Sequence, residues 1–392
     1  IKNNVDFTLT DCKGTGTITH KQGVSGEGVY NDGRFFMYNG IISGNNGGVK
    51  NPGMFFMYGG TITSNTANNG GGVDNAGTFT MDGGTITSNT ANNGGGVYND
   101  NAGRFIMYGG TITGNKAEQT YGTEYGGGVY NQGTFNMYGG EITNNTATVG
   151  GGGVFNKGTF TMSGGEITSN SSESYGGGVC YLSSQLFKMS GTVNITENKV
   201  GTTPNNLYLW NGQQVSASGL TSGAEIGVTT QIVPINDSSV PITSDSVSVN
   251  CFSSDKSDYE TAIDENSKVV LKKKTAVEAP SITKQPQPVS VKVGETATFT
   301  VVAAGTDLSY QWRVNKNDNA GFVDIVGANS ESYTLNAVSK DCNGYQYQCV
   351  VSNAGDSVTS DTVTLTVTED AAPTPNPNPT PTPEPNPEPN PT

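Results

Sequence analysis

Two glutamates, Glu141 and Glu166, form the acid pair whose spacing best suits catalysis. They occupy the same outward position of two adjacent repeats, so their Cβ atoms are expected to lie about 5 Å apart. Retaining glycosidases hold two carboxyl groups at about 5–5.5 Å, so this pair would suit glycosidic bond cleavage. A catalytic acid also needs burial that raises its pKa, and these side chains are expected to face solvent. The pattern therefore favours a plain surface pair, with weak cation binding and catalysis as alternatives.

Other residues capable of catalysis are sparse. The aspartates of the repeat region are scattered over different repeat positions. His20, the only histidine, lies near the beginning, which leaves Ser/His/Asp chemistry without a base. The sequence contains no HExxH, GxSxG or phosphate-binding motif. The five cysteines are widely spaced without a CxxC, which argues against zinc and a disulfide framework. We therefore predict no catalytic residue, no metal site and no cofactor.

Tyrosines at two repeated positions are the best candidates for ligand binding. The first row, here the Tyr38 row, consists of Tyr38, Tyr58, Tyr108 and Tyr138. The second, here the Tyr30 row, consists of Tyr30, Tyr98, Tyr130 and Phe155. Asp82 interrupts the first row, and Lys50 and Asp74 interrupt the second. A rigid row of exposed rings suits sugar faces or a protein partner, because rings bury much area at small entropic cost. The alternative is stabilisation by stacking of the rings along each row.

These positions belong to a repeat, and a valine marks its register. The marker valines are Val29, Val49, Val73, Val97, Val129, Val154 and Val179, at steps of 20, 24, 24, 32, 25 and 25 residues. The longest step contains an insertion at Lys116–Tyr125. Each copy holds three short β-type runs, Val-x-Asn, Phe-x-Met and x-Ile-x, separated by Gly or Asn turns. The period-two alternation predicts that Val, Phe, Met and Ile face inward.

Three strands in coils of about 24 residues predict an all-β chain whose residues 1–274 form a right-handed parallel β-helix. Residues 192–274 are expected to form irregular final coils and a cap, with strands at Thr192–Thr196, Ala224–Ile235, Ser246–Cys251 and Lys268–Lys272. Two Asn ladders at the corners are interpreted as structural, with amides that bond to the coils above and below. Cys12 and Cys180 fall about seven coils, or roughly 34 Å, apart, which is too far for a disulfide. A Thr-x-Thr array at Thr61–Thr63 and in the next two coils resembles water-ordering surfaces, but Thr is also a good outward strand residue.

Residues 279–368 are predicted to form a second domain, an immunoglobulin-like β-sandwich. The motifs are YQW at Tyr310–Trp312 and YQYQCVVSN at Tyr345–Asn353. Tyr347 lies two residues before Cys349, at the tyrosine-corner position. Val301 stands where the second core cysteine is expected. We therefore predict that Cys349 is a reduced thiol buried against Trp312.

The final segment, residues 369–392, is predicted to be a disordered spacer. It alternates Pro with Thr, Asn and Glu and contains ten of the 17 prolines, so it cannot build a core. The net charge of −14 disfavours nucleic acid and anionic lipid surfaces as partners. The sequence contains no apolar run of about 18 residues that would predict a membrane span.

Two segments carry resemblances to known families. PSITKQPQPVSV, LSYQW and NGYQYQCVVSN within Pro280–Val367 resemble bacterial immunoglobulin-like domains of surface proteins. The GGGVYN, GTFxM and GGTIT repeats within Val29–Asn198 resemble those of Gram-positive surface proteins with a pectin-lyase-like β-helix. The tail resembles a wall-spanning spacer.

These resemblances imply an extracellular, cell-surface adhesin or stalk without catalysis, anchored to a cell wall or membrane through a region outside this sequence. A glycan or protein ligand is expected at the tyrosine rows. The alternative is an extracellular polysaccharide lyase or glycoside hydrolase that uses the same scaffold.

Overall fold

The computed structural model describes residues 1–11, 15–20, 26–118, 125–248, 250–275 and 277–369. The chain divides into two compact units, Ile1–Lys274 and Thr275–Thr392. Within the described ranges the structure consists of strands and a single 3-10 turn, Lys340–Cys342. In the same ranges, no helix is long and apolar enough to cross a bilayer. The all-β prediction is confirmed: a β-solenoid of about 9 turns, with about 26 residues per turn, precedes an immunoglobulin-like domain.

The three predicted strand types of the solenoid each form a parallel ladder. The Phe-Met ladder consists of Asp6–Leu9, Arg34–Met37, Met54–Met57, Thr78–Met81, Arg104–Met107, Thr134–Met137, Thr159–Met162, Phe187–Gly191 and Ser216–Leu220. The Val-Asn ladder consists of Val29–Tyr30, Val49–Asn51, Val73–Asn75, Val97–Asn99, Val129–Asn131, Val154–Asn156, Val179–Tyr181 and Leu207–Leu209. The Ile ladder consists of Thr17–Ile18, Ile41–Ser43, Thr61–Thr63, Thr85–Thr87, Thr111–Thr113, Glu141–Thr143, Gly165–Thr168 and Val193–Thr196. Matching residues of successive coils are paired in register, so each coil repeats the side-chain placement of the one before it.

The core of the solenoid follows the period-two alternation. The inward Val, Phe, Met and Ile of the repeating coils are buried and form one continuous cluster. Phe79 and Phe105, for example, stack with ring centroids 4.8 Å apart, close to the spacing of paired strands. The predicted inward placement is confirmed.

A fourth short strand, which was not predicted, completes most coils. The Ala ladder, named for the alanine that recurs in its first members, consists of Thr66–Asn69, Thr90–Asn93, Lys116–Ala117, Thr146–Ala147, Ser171–Ser172, Lys199–Val200 and Thr203–Pro204. Its members are short and polar, and only alanine or another small residue faces inward in the middle coils. Such a segment lacks the apolar alternation by which strands are recognised in a sequence.

Two ladders of buried asparagines line the corners, as predicted. The first consists of Asn31, Asn51, Asn75, Asn99, Asn131 and Asn156, and the second of Asn45, Asn65, Asn89, Asn115, Asn145, Asn170, Asn198 and Asn206. In the second ladder each side-chain amide donates to the amide oxygen of the next coil, as in Asn65 Nδ2 to Asn89 Oδ1 at 3.0 Å. Asparagine tolerates the left-handed conformation, but at this corner that conformation occurs at the residue before the asparagine, for example Ser64 with φ 56° and Ser88 with φ 55°. The asparagines therefore stabilise the corner through the hydrogen bonds of their side-chain amides.

The last coils depart from the repeat. Strand Glu225–Thr230 pairs with both Val193–Thr196 and Leu207–Leu209, so it joins the Ile and Val-Asn ladders. It also pairs with Phe252–Ser254, and an antiparallel sheet follows. That sheet consists of Ser239–Pro241, Tyr259–Ile263 and Val269–Lys273.

One predicted strand of the final coils is wrong. The described residues of Ser246–Cys251 are irregular, and the strand begins at Phe252. The strands predicted at Thr192–Thr196, Ala224–Ile235 and Lys268–Lys272 are present with shifted ends, and Glu225–Thr230 stops well before residue 235.

The second unit is a β-sandwich with its own core. Its strands are Ser281–Lys284, Val289–Lys292, Ala297–Thr300, Val302–Ala304, Ser309–Asn315, Phe322–Asp324, Ser332–Leu335, Gln346–Ser352, Ser357–Thr359 and Val363–Thr368. Trp312 and Cys349 pair across neighbouring strands and are fully buried, and Val301 lies in the same core. Cys349 is a free thiol, so its prediction as a buried, unbridged cysteine is confirmed. The structure does not describe Cys12 or residues 370–392. The predictions for Cys12 and for the spacer therefore lie outside the described residues.

Candidate ligand-binding surfaces

The Tyr38 row lies at the end of the Phe-Met strands, directly after the inward methionine. The side chains there point outward because they follow a buried residue in an extended strand. Relative exposures are 51% for Tyr38, 41% for Tyr58, 55% for Tyr108 and 47% for Tyr138. The predicted outward placement of this row is confirmed.

Rings of the Tyr38 row form two stacked pairs. Tyr38 and Tyr58 stack with centroids 4.8 Å apart, and Tyr108 and Tyr138 with centroids 5.1 Å apart. The exposed Asp82 lies between the two pairs. In each pair the two rings cover one face of each other, and the rest of each pair is what a ligand could contact. The structure therefore displays both the stacking alternative and an exposed aromatic surface.

Glycines keep the backbone beside the Tyr38 row tightly packed between coils. A Cβ atom at Gly59 would lie 2.4 Å from the carbonyl oxygen of Tyr38, and one at Gly139 would lie 2.6 Å from that of Tyr108. A side chain at these positions would force the coils apart. The Tyr-Gly-Gly sequence at Tyr58, Tyr108 and Tyr138 therefore combines an exposed ring with a close approach of successive coils.

The rings of the Tyr30 row were predicted to be exposed, and only part of the row is. Tyr30 is 53% exposed, but Tyr98 is half-buried and Tyr130 and Phe155 are buried. Each ring from Tyr98 to Phe155 stacks on the next, with centroids 5.3 and 5.5 Å apart. The assignment of Tyr130 to an exposed platform is therefore wrong.

Later coils explain that burial. The outward cluster of Tyr130, Phe155, Cys180 and Tyr208 is extended by Tyr175, Leu182 and Trp210. Tyr175 contacts both Tyr208 and Trp210, with ring centroids 5.3 and 5.1 Å away. Burial raises the pKa of the Cys180 thiol far above its ordinary value, so this cysteine is a packing residue. The row thus changes along the axis from exposed at Tyr30 to a second, outer core.

The acid pair is brought together as predicted but is not enclosed. Glu141 and Glu166 are paired in register on adjacent strands of the Ile ladder, and both are exposed. Catalytic acids of glycosidases are held in buried sites, and neither of these side chains is buried. Among the described residues, no group of three or more His, Cys, Asp or Glu side chains is arranged to hold a metal ion.

Comparison with known proteins identifies the second unit. The model of the immunoglobulin domain family matches residues 279–353. Endoglucanase C from Cellulomonas fimi is 37% identical over 88 residues, which are 22% of this chain and lie in the immunoglobulin-like part. The match spans 8% of the endoglucanase, so it concerns a module of that enzyme.

Solved structures match about a quarter of the chain. A chimeric titin Z1Z2 carrying a decorin peptide is 26% identical, and the match covers 24% of this chain and 100% of that chain with a TM-score of 0.19. The Ig1-2 module of the Drosophila receptor tyrosine phosphatase DLAR is 28% identical, with 24% and 53% of the two chains covered and a TM-score of 0.19. The fold and the match to the immunoglobulin domain family together define a two-unit all-β protein: a parallel β-solenoid and an immunoglobulin-like domain.

Proposed function

We propose that this protein is a non-catalytic surface protein in which the solenoid is a rigid scaffold that presents the Tyr38 row to a glycan or protein ligand outside the cell. A parallel solenoid with an immunoglobulin-like domain fits a stalk or surface protein. In this proposal the segment after residue 369 is a spacer that leads towards the cell wall. The resemblance of the repeats and tail to Gram-positive surface proteins supports that placement.

The observation that carries the proposal is the pair of exposed tyrosine stacks on one ladder. Tyr38, Tyr58, Tyr108 and Tyr138 stay 41–55% exposed although each lies beside a fully buried methionine. Each tyrosine directly follows a paired strand, and its backbone N–H donates to a carbonyl oxygen of the preceding coil, as in Tyr58 to Met37 at 2.8 Å. The backbone that carries the rings is therefore ordered before a ligand binds, which limits the entropic cost of binding. Tyrosine also combines an apolar ring with a hydroxyl group, which suits both sugar and protein surfaces.

The polysaccharide-cleaving alternative depends on Glu141 and Glu166. Their register matches a two-carboxylate mechanism, but both side chains are exposed, whereas catalytic acids are held in buried sites. The endoglucanase relative does not strengthen this alternative, because the similarity lies in the immunoglobulin-like part.

The proposal is tested by measuring ligand binding and polysaccharide cleavage separately. The full chain is applied to a glycan array and to immobilised extracellular matrix proteins, and the same polysaccharides are assayed for new reducing ends and for unsaturated products. We expect retention without cleavage, and Glu141→Gln with Glu166→Gln should leave retention unchanged. Polysaccharide cleavage that is lost in this double variant would overturn the proposal in favour of the enzyme.

A further inference from the structure

A polar groove on the Val-Asn side of the solenoid arises from one short coil. The step from Val29 to Val49 is 20 residues, whereas the next two steps are 24 residues each. The missing residues are those that form the Ala ladder, because Asn45-Asn46-Gly-Gly-Val49 stands where the next coil has Asn65-Thr-Ala-Asn-Asn-Gly-Gly-Gly-Val73. The Ala ladder therefore begins at Thr66–Asn69, which is an edge strand among the described residues. Below that edge lies a cavity of about 530 Å³.

The groove is lined mainly by hydrogen-bonding groups. Exposed Glu27, Asn46 and Asn68 and half-buried Asn92 contribute carboxylate and amide groups. Lys50 and Asp74 cross the floor as an ion pair, with Nζ and Oδ2 3.3 Å apart. The volume lies in the range of small-molecule sites, but the polar lining does not suit an apolar ligand. A ligand rich in hydroxyl groups would match these donors and acceptors.

Tyrosines flank Lys50 and Asp74 along the Val-Asn ladder. Tyr30 pairs in register with Lys50, and Tyr98 with Asp74, so the outward order along the axis is Tyr, Lys, Asp, Tyr. Three coil steps at about 4.8 Å place the two tyrosines roughly 14 Å apart. Sugars present apolar ring faces as well as hydroxyl groups, and rings beside a polar floor meet both requirements.

Charge restricts the class of sugar. Burial raises the pKa of Asp74 against the opposing effect of Lys50, and the negative charges of Asp100 and Glu27 raise it further. The lining of the groove contains two carboxyl groups, those of Glu27 and Asp74, and one ammonium group, that of Lys50. This excess of acidic groups would repel uronic acid and sulfated glycans. A divalent cation is also disfavoured, since no metal-holding cluster occurs among the described residues.

We infer that this groove is a binding site for a short neutral oligosaccharide, laid along the solenoid axis between Tyr30 and Tyr98, with Lys50 and Asp74 bonding its hydroxyl groups. The site is separate from the Tyr38 row, which lies on the Phe-Met ladder, and does not rest on the function proposed for that row.

Two variants of the full chain test the inference. Lys50→Ala with Asp74→Ala removes the floor of the groove. Inserting Thr-Ala-Asn after Asn45 and one Gly after Asn46 gives this coil the sequence of its successors and extends the Ala ladder into the groove. The second variant uses native repeat sequence, so it remains informative if the first is unstable. The matched control is Glu141→Gln with Glu166→Gln, which removes charge on the Ile ladder.

The probes are immobilised neutral tri- and tetrasaccharides of glucose, mannose, galactose and N-acetylglucosamine, with uronic acid and sulfated oligosaccharides alongside. We expect the wild type and the control to retain at least one neutral probe. Both groove variants should weaken that retention at least tenfold, whereas Tyr108→Ser with Tyr138→Ser should leave it intact. Absence of neutral-probe retention by the wild type, or equal retention by the variant with the filled groove, would overturn the inference.

Discussion

Cys349 and Trp312 face the same side of neighbouring strands in the sandwich core, where immunoglobulin domains commonly place a disulfide beside a tryptophan. Val301 takes the place of the second cysteine, so the core is closed by packing alone. Burial raises the pKa of the Cys349 thiol to about 11, although a backbone hydrogen bond from Gln311 opposes this effect. At pH 8 the thiolate fraction is then roughly a thousandth, which makes the thiol inert.

Alkylation of the native protein should discriminate among its cysteines. At pH 8, iodoacetamide should label half-buried Cys342 well before Cys349 or Cys180, because the latter two are fully buried and their thiol pKa values are raised. Peptide mapping by mass spectrometry measures the rates, and unfolding in urea should abolish the differences. Labelling of Cys349 as fast as Cys342, or a Cys342–Cys349 disulfide, would contradict this account.

Single residues were predictable where the strand alternation alone decides their environment. Phe79 and Met81 had to face the core, and Tyr108 had to face outward, because side chains two apart share one face. The burial of Tyr130 was not predictable in this way. It depends on Phe155, Tyr208 and Trp210, which come from later coils, and no local pattern encodes that contact.

The second Asn ladder is an oriented chain of hydrogen bonds along the solenoid. It begins at His20, whose backbone N–H donates to Asn45 Oδ1 at 3.0 Å. It ends at Asp255, which accepts from the backbone and side-chain nitrogens of Asn206, the former at 2.8 Å, and from the Thr229 hydroxyl at 2.9 Å. Aligned amides polarise one another, so the end group matters to the whole ladder. Burial raises the pKa of Asp255, and these hydrogen bonds only partly oppose that effect.

Removing the acceptor at the end of the ladder should destabilise the solenoid. Asp255→Ala leaves the Asn206 donors without their acceptor and should cost about 1–3 kcal/mol of unfolding free energy. Asp255→Asn keeps an amide oxygen in the same place, as elsewhere in the ladder, and should cost much less. Urea unfolding followed by circular dichroism measures both, and equal losses in the two variants would refute the acceptor role.

The difference in stability between the wild type and Asp255→Asn should depend on pH, and its sign follows from the pKa of Asp255. The pKa of Asp255 is higher in the folded state than its ordinary value of 3.8, so folding favours the protonated form. Its contribution to stability is therefore fully present below pH 3.8 and is lost as the pH rises through the folded pKa. The stability of wild type relative to Asp255→Asn should accordingly rise as the pH falls from 7 to 4. A difference that stays constant or shrinks on acidification would contradict the assignment.

Elements were predictable to the extent that their apolar pattern is regular. The Val-Asn, Phe-Met and Ile ladders follow from the repeat, because every coil presents the same inward residues. The Ala ladder did not follow, since Thr66–Asn69 has one small inward residue and three polar ones. The groove below it was likewise missed, although its cause, the 20-residue step, is visible in the sequence. A shortened coil signals a cavity only when the position of the missing strand is known.

At the scale of the whole molecule, the two units have separate hydrophobic cores and one tryptophan each. A Trp210→Phe chain keeps Trp312 as a fluorescent reporter of the second unit. Adding Phe105→Ala should remove about 3–5 kcal/mol from the solenoid core. We expect the urea midpoint measured by circular dichroism to fall while the Trp312 fluorescence midpoint stays the same. A common shift of both midpoints would show that the units unfold together.

The most direct test of the proposed function compares binding and stability in one variant. Tyr108→Ser with Tyr138→Ser removes one exposed stack, whose pairing is worth about 0.5–1.5 kcal/mol, and leaves the buried Met107 and Met137 in place. Retention on the glycan and protein arrays and the melting temperature are measured on the same preparations, with Phe105→Ala as a destabilised control. We expect the double variant to lose retention on the ligand of the Tyr38 row, while its melting temperature falls far less than that of the control. Full retention together with a melting temperature as low as that of Phe105→Ala would show that the tyrosines serve the fold, and would contradict the account.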